Sequence, residues 1–264
     1  MRLQKKIVDT INSFLNVIVV LVLTLSLVYA TYALWDNQQI IQAVDDVLYQ
    51  LMEYKPNKEN PGPSFEELLK INEDVKAWVE IDGTGIDYPV VQGEDNLAYL
   101  NKDVFGNFAL AGSIFLDTRN SPDFTDNYSL LYGHDMVEGK MFGDVKNFKD
   151  EEYFNDHLTG SLITPDKAYD LDIYAVLLVP SNSDEIFNPD MWMDDLSGLE
   201  QFISEEAIYT NPQALKDGDQ DLAFTDQRIL TLTTCSSEYT QARTILITIM
   251  KESNTKESDA IETE

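Results

Sequence analysis

Three residues of this chain have the types and settings that acyl transfer requires. The single cysteine, Cys235, closes the run Ile229-Leu230-Thr231-Leu232-Thr233-Thr234, which reads as a strand ending on a thiol. Eight residues later Arg243 opens a second apolar run, Thr244-Ile245-Leu246-Ile247-Thr248-Ile249-Met250. One of only two histidines, His134, follows Ser129-Leu130-Leu131-Tyr132-Gly133, again at a strand end. A thiolate can attack a carbonyl, an imidazole can move protons, and a guanidinium can hold the oxyanion that develops. These are the parts of a cysteine transpeptidase.

Each residue also has a plainer reading. A lone Cys in an apolar strand is most often a small buried hydrophobe, and an Arg at a strand start is often a surface charge. It is Gly133 before His134, and the Cys–Arg spacing across a turn, that favour chemistry. The other histidine, His157, stands in Asn155-Asp156-His157-Leu158 and reads as a helix-end residue. No metal site is expected. Asp217-Gly218-Asp219-Gln220-Asp221 imitates a calcium loop, but Leu222 replaces the sixth-position Gly and Arg228 the closing Glu, so it reads as a polar turn. One Cys and two distant His do not assemble a zinc site.

The elements that must position these residues are short strands divided by turns. Trp78-Val79-Glu80-Ile81 and Tyr88-Pro89-Val90-Val91 flank Asp82-Gly83-Thr84-Gly85. Further strands are expected over residues 113–116, 128–132, 161–164, 171–179, 228–233 and 243–250. Eight strands of this kind suggest a closed or nearly closed barrel. Helical spacing appears over residues 141–154 and 189–209, and a capping box at Ser64 and Glu67 starts a short helix. Residues 55–63, with Pro56, Pro61, Gly62 and Pro63, read as a linker.

The N-terminus supplies the topology. No charged residue stands between Asp9 and Asp36, and residues 11–35 are mostly apolar. As a helix they span about 37 Å, enough for a hydrocarbon core of about 30 Å. Arg2, Lys5 and Lys6 precede the segment while Asp36, Asp45, Asp46 and Glu53 follow it, so the positive-inside rule places the N-terminus in the cytoplasm. Tyr29, Tyr32 and Trp35 suit the interface. The rival reading is a cleaved signal peptide with a poor site at Val28-Tyr29-Ala30; the long apolar run and the crowding tyrosines favour an uncleaved anchor. An amphipathic helix is expected over residues 37–54. Net charge is −29; the first nine residues carry a balance of +2, which leaves −31 for the rest. Such a surface repels nucleic-acid phosphates, so no nucleic-acid partner is expected.

Together these segments resemble a known family. Leu131-Tyr132-Gly133-His134-Asp135-Met136, followed by Met141-Phe142-Gly143-Asp144, resembles the histidine motif of sortases. Thr231-Leu232-Thr233-Thr234-Cys235 with Arg243 resembles their Thr-Leu-x-Thr-Cys motif and its arginine. Trp78-Val79-Glu80-Ile81, Ile86-Asp87-Tyr88-Pro89-Val90-Val91 and Ile114-Phe115-Leu116-Asp117 extend the likeness over residues 64–251. Helices ahead of the first strand, and a helix in the long loop ending at Thr225-Asp226-Gln227-Arg228, point to class B. The lid segment usual in class C pilus sortases does not stand out.

The resemblance implies a mostly β fold: an eight-stranded barrel with N-terminal helices, a helix in the loop before the cysteine strand, and one N-terminal transmembrane helix. It divides the chain into a cytoplasmic N-terminus (1–10), a transmembrane signal-anchor (11–35), a juxtamembrane helix and linker (36–63), a catalytic domain (64–251) and a disordered acidic tail (252–264). It implies a cysteine transpeptidase of the thiol-peptidase type, held in the membrane of a Gram-positive cell with its catalytic domain outside, and needing no cofactor. Cys235 would attack the Thr carbonyl of a C-terminal pentapeptide sorting signal on a secreted protein, giving a thioacyl enzyme. A peptidoglycan amine, from a precursor or a cross-bridge, or a protein lysine in a pilin-joining enzyme, would resolve it. His134 serves as acid and base, and Arg243 binds the oxyanion, since a guanidinium does not release its proton. Tyr132, Thr233, Thr234, Ser236 and Asp117 are expected near the substrate, with Asp117 orienting substrate or His134 or else forming a turn. Ser236 and Ser237 stand where some class B members have acidic or aromatic residues, so subsite detail carries over poorly. A non-catalytic peptide-binding module on the same barrel is the alternative of a different class, and the three intact site residues speak against it.

Overall fold

The computed structural model describes residues 2–59, 62–234 and 242–253. The chain divides into two compact units, Met1–Asp45 and Asp46–Glu264. The first unit is helical throughout its described residues, as part of α1 (Arg2–Leu51). α1 runs unbroken past Asp36, through the residues read as a spanning segment and on into those read as an amphipathic helix. The reason is plain: no Gly or Pro precedes Pro56, so nothing ends the hydrogen-bond ladder before the 3-10 turn Met52–Tyr54. Along α1 the hydroxyls of Thr10, Thr24 and Thr31 donate to the carbonyls of Lys6, Val20 and Leu27, which satisfies them without water. The helix is long and apolar enough to cross a membrane.

The second unit is a barrel. Its strands are β1 (Val75–Ile81), β2 (Asp87–Val91), β3 (Ile114–Leu116), β4 (Tyr128–Gly133), β5 (Thr159–Ile163), β6 (Ala168–Pro180), β7 (Ala207–Thr210), β8 (Lys216–Asp217), β9 (Gln220–Asp221), β10 (Arg228–Thr234) and β11 (Ala242–Glu252). Lateral order runs β11-β10-β4-β3-β2-β1-β5-β6, and pairing of β6 with β11 closes the ring. These eight are the eight strands expected from the sequence. Most neighbours are antiparallel, but β4 and β10 run parallel, as do β2 and β3. β8 and β9 form a tight hairpin around Gly218, whose φ is +58°, in the segment that read as a polar turn.

Two helical readings give way to mixed structure. Residues 189–209 hold a 3-10 turn (Pro189–Trp192), α5 (Ser197–Glu206) and then β7, after the short α4 (Asp184–Phe187). β7 exists because β6 is long: β5 pairs with Ala168–Asp172, and Ala175–Leu177 beyond it take β7. That partner lies far away in sequence, so local apolar spacing could not reveal it. Residues 141–154 hold a 3-10 stretch (Gly143–Lys149) and α3 (Glu151–Asp156), divided at Asp150, whose carboxylate caps α3 by accepting from Tyr153 N. α2 (Gly62–Ile71) starts two residues before Ser64, with Pro63 suited to its first turn. β11 runs to Glu252, and residues 254–264 of the expected tail lie outside the described residues.

The core explains the strand composition. β10 and β11 are covered on both faces, which is why they read as near-continuous apolar and Thr runs. Leu177, Ile245, Ile247 and Ile249 pack with Ile186, Trp192, Leu199 and Ile203. A separate cluster packs Leu51, Phe65 and Leu68 against Trp78, Phe115 and Ile163, which lie on β1, β3 and β5. The predicted linker is strapped down: Lys55 Nζ reaches Glu80 and Asp87, each at 2.8 Å, and Trp78 Nε1 donates to the same Asp87 at 2.6 Å.

Candidate active site

The site is assembled by strand register. β4 and β10 lie side by side and parallel, with Gly133 opposite Thr234. The next residue along β4 is His134, and the next along β10 is Cys235. Cys235 and Ser236 lie outside the described residues, as do residues 237–241. From β11, antiparallel to β10, Arg243 sends one guanidinium nitrogen, Nη1, to the carbonyl of Thr234, which is the peptide group joined to Cys235. Its Nε is buried and has no hydrogen-bond partner among the described residues. Arg243 is thus bonded to the peptide group that leads into Cys235.

Gly133 has a steric reason. A Cβ there would stand 2.4 Å from Ile114 Cδ1 and 2.7 Å from the Phe142 ring. The ring of Phe142 is fully buried, and its backbone N–H donates to the His134 carbonyl at 2.9 Å. A side chain at position 133 would push away the group that pins the histidine. His134 itself is half-buried. That burial lowers the imidazole pKa below its ordinary value, partly offset by the nearby backbone carbonyls of Leu100 and Leu110. Burial thus favours the neutral imidazole, the form that can accept a proton.

The remaining expected residues fall into two groups. Thr233 and Thr234 are buried in β10, and it is the carbonyl of Thr234, not its hydroxyl, that meets Arg243. Asp117 is fully buried after β3, where Arg119, Asn96 and Tyr132 meet it. Its carboxylate accepts from Arg119 Nε at 2.9 Å, Arg119 Nη2 at 2.8 Å, Asn96 Nδ2 at 2.9 Å and the Tyr132 hydroxyl at 3.0 Å. Burial alone would push the Asp117 pKa up, but its hydrogen bonds with Arg119 hold it below the usual value. Burial, followed by the charge of Asp117, pushes the Tyr132 phenol far above its ordinary value, so it stays a donor. The turn alternative for Asp117 is also present, since its carbonyl accepts from Asn120 N at 3.0 Å. His157 closes α3 with its ring stacked on Tyr153 at 4.0 Å between centroids.

Sequence reasoning missed Arg119 and Phe187. Arg119 Nη2 donates to the Phe187 carbonyl at 2.7 Å, and the Phe187 ring lies 5.7 Å from the Arg243 guanidinium carbon. One signal was available: the chain has only four arginines, Arg2, Arg119, Arg228 and Arg243, and two of them meet here. Among the described residues no cluster of His, Cys, Asp and Glu is arranged to hold a metal.

Residues 79–250 match the family model of the sortase domain. Sortase B of Listeria monocytogenes is 32% identical over 182 residues, covering 68% of this chain and 71% of the relative. Sortase B of Staphylococcus aureus is 28% identical over 195 residues, covering 74% and 77%. Among solved structures, a Streptococcus pyogenes class B sortase involved in pilus biogenesis superposes with a TM-score of 0.62 at 35% identity, covering 71% of this chain and 97% of that one.

Proposed function

Because the chain belongs to the sortase family and, within it, to class B, we propose that it is a membrane-anchored transpeptidase joining secreted proteins to a cell-wall amine. The observation that carries this reading is the pairing of Gly133 with Thr234, the residues just before His134 and Cys235, with Arg243 bonded to the Thr234 carbonyl. Neutral His134 takes the Cys235 proton as sulfur attacks the Thr carbonyl of a C-terminal sorting signal. Arg243 holds the oxyanion with a guanidinium donor. The carbon–nitrogen bond breaks, His134 returns the proton to the leaving amine, and a thioester remains on Cys235. An amine from peptidoglycan then attacks, with His134 as base, and frees the thiol. Substrate contacts belong to Tyr132, Thr233, Thr234 and Ser236 in this reading, and Asp117 contributes by holding Tyr132.

The flanking charges support residues 1–10 inside the cell, 11–35 across the membrane, 36–63 as juxtamembrane helix and linker, 64–251 as the catalytic domain outside and 252–264 as an acidic tail. A second reading differs only in the acceptor. The Streptococcus pyogenes relative's part in pilus biogenesis favours a protein lysine. A transfer assay separates the two. Full-length enzyme in detergent, with a panel of sorting-signal peptides, is offered a peptidoglycan-derived amine and a lysine-bearing pilin-like protein. Transfer to the wall amine upholds the first reading, transfer to the lysine alone supports the second, and cleavage without either overturns both.

A further inference from the structure

We propose that Arg119 is a positioning residue for Arg243 and acts through Phe187. The inference rests on the reading that Arg243 binds the oxyanion. Among the described residues no carboxylate pairs with Arg243; its partners are the Thr234 carbonyl and the face of Phe187. This choice of partner matters chemically. A carboxylate would take two guanidinium donors in a fork, whereas an aromatic face orients the cation and takes none. Phe187 therefore aims Arg243 while leaving its donors for the reaction.

Phe187 needs support of its own. It ends α4, which is only four residues long and so is held weakly by its own ladder. The support comes from Arg119. Its Nη2 donates to the Phe187 carbonyl at 2.7 Å, and its Nη1 donates to Asn188 Oδ1 at 3.0 Å. Arg119 is in turn gripped by both carboxylate oxygens of Asp117, at 2.9 Å and 2.8 Å. Asp117 also accepts from Tyr132, two residues before His134. The path from Asp117 through Arg119 and Phe187 to Arg243 thus starts at a carboxylate shared with the histidine strand. It ends at the peptide joined to Cys235.

Two readouts test this on the full-length protein in detergent. The first is the kinetics of sorting-signal peptide cleavage. The second is the Arg243 Nε–H NMR signal, assigned by its loss in Arg243→Lys, which needs no substrate and feels the ring current of Phe187. Arg119→Ala should lower kcat about 10-fold with KM little changed and should move the Arg243 signal. Removing Arg119 leaves Asp117 buried and unpaired, so a second variant guards against misfolding. Phe187→Leu keeps bulk but loses the ring; it should lower kcat about threefold, and Phe187→Trp should restore it. In an Arg243→Lys background, Phe187→Leu should add nothing, which a merely structural role would not produce. The proposal is overturned by an unmoved Arg243 signal in folded Arg119→Ala, or by Phe187→Leu acting equally with and without Arg243. If wild type turns over no peptide yet the signal moves, the oxyanion reading fails while the positioning path stands.

Discussion

Arg243 sits between two regions that hold it in different ways. On one side β10 is tied to β4 by six residue pairs and to β11 by six more, so the backbone at Thr234 is set by a ladder. On the other side α4 has four residues, and its Phe187 is held by side-chain bonds from Arg119, which is 68 residues away. The ladder determines which residues arrive at the site; the side-chain bonds determine where the guanidinium points. A ladder tolerates the loss of one side chain, because its bonds are backbone to backbone. A path of single contacts does not. Substitutions in the strands should therefore act through chemistry or packing at the altered residue, while those in the turns should act at a distance.

Cys235→Ala should abolish turnover in peptide-cleavage assays while leaving the thermal midpoint unchanged; residual turnover would move the nucleophile elsewhere. Arg243→Lys should lower kcat about 100-fold, because a point ammonium cannot keep the Thr234 carbonyl and the oxyanion together. Near-normal activity would remove the oxyanion role. Gly133→Ala tests the ladder itself. Its Cβ would meet Ile114 and Phe142, so calorimetry should show a loss of about 1–3 kcal/mol. An unchanged midpoint would mean that Phe142 does not pin the histidine.

The pH response should be the smallest effect. The His134 pKa is lowered by folding from an ordinary 6.5. The group therefore adds stability that is complete above about pH 6.5 and is lost as pH falls through the folded value. Denaturant titrations should show a pH slope below 6.5 that is missing in His134→Gln. The acid limb of kcat/KM should likewise lie below 6.5, and a limb above it would contradict the burial of His134.

The same contrast explains what the sequence made legible. All eight barrel strands could be read, since each is a short β-branched or apolar run bounded by turn residues, and β10 and β11 carry their burial on both faces. The same runs mark where His134, Thr234 and Arg243 stand at the strand ends. β7 could not be read, because Ala207–Thr210 is a strand only by virtue of β6 beside it. The continuity of α1 through Asp36 follows from the absence of any Gly or Pro before Pro56. Arg119 lies in a turn and Phe187 ends the four-residue α4, neither in a stretch long enough to show periodicity, and their meeting depends on how two separate segments converge. Asp117 shows the limit most clearly. Its place at a strand end was visible, but its contacts with Arg119 and Tyr132 required the fold.

The central claim is that the register of Gly133 and Thr234 brings a histidine and a thiol together as an acylating pair. Intact-mass spectrometry of the full-length enzyme, mixed with sorting-signal peptides, tests it most directly, with Cys235→Ala as control. Wild type alone should form an adduct of the peptide minus its tail, discharged when an amine is added. No adduct from any peptide, with a thiol inert to a small alkylating probe, would contradict it and leave a buried structural cysteine in a peptide-binding barrel.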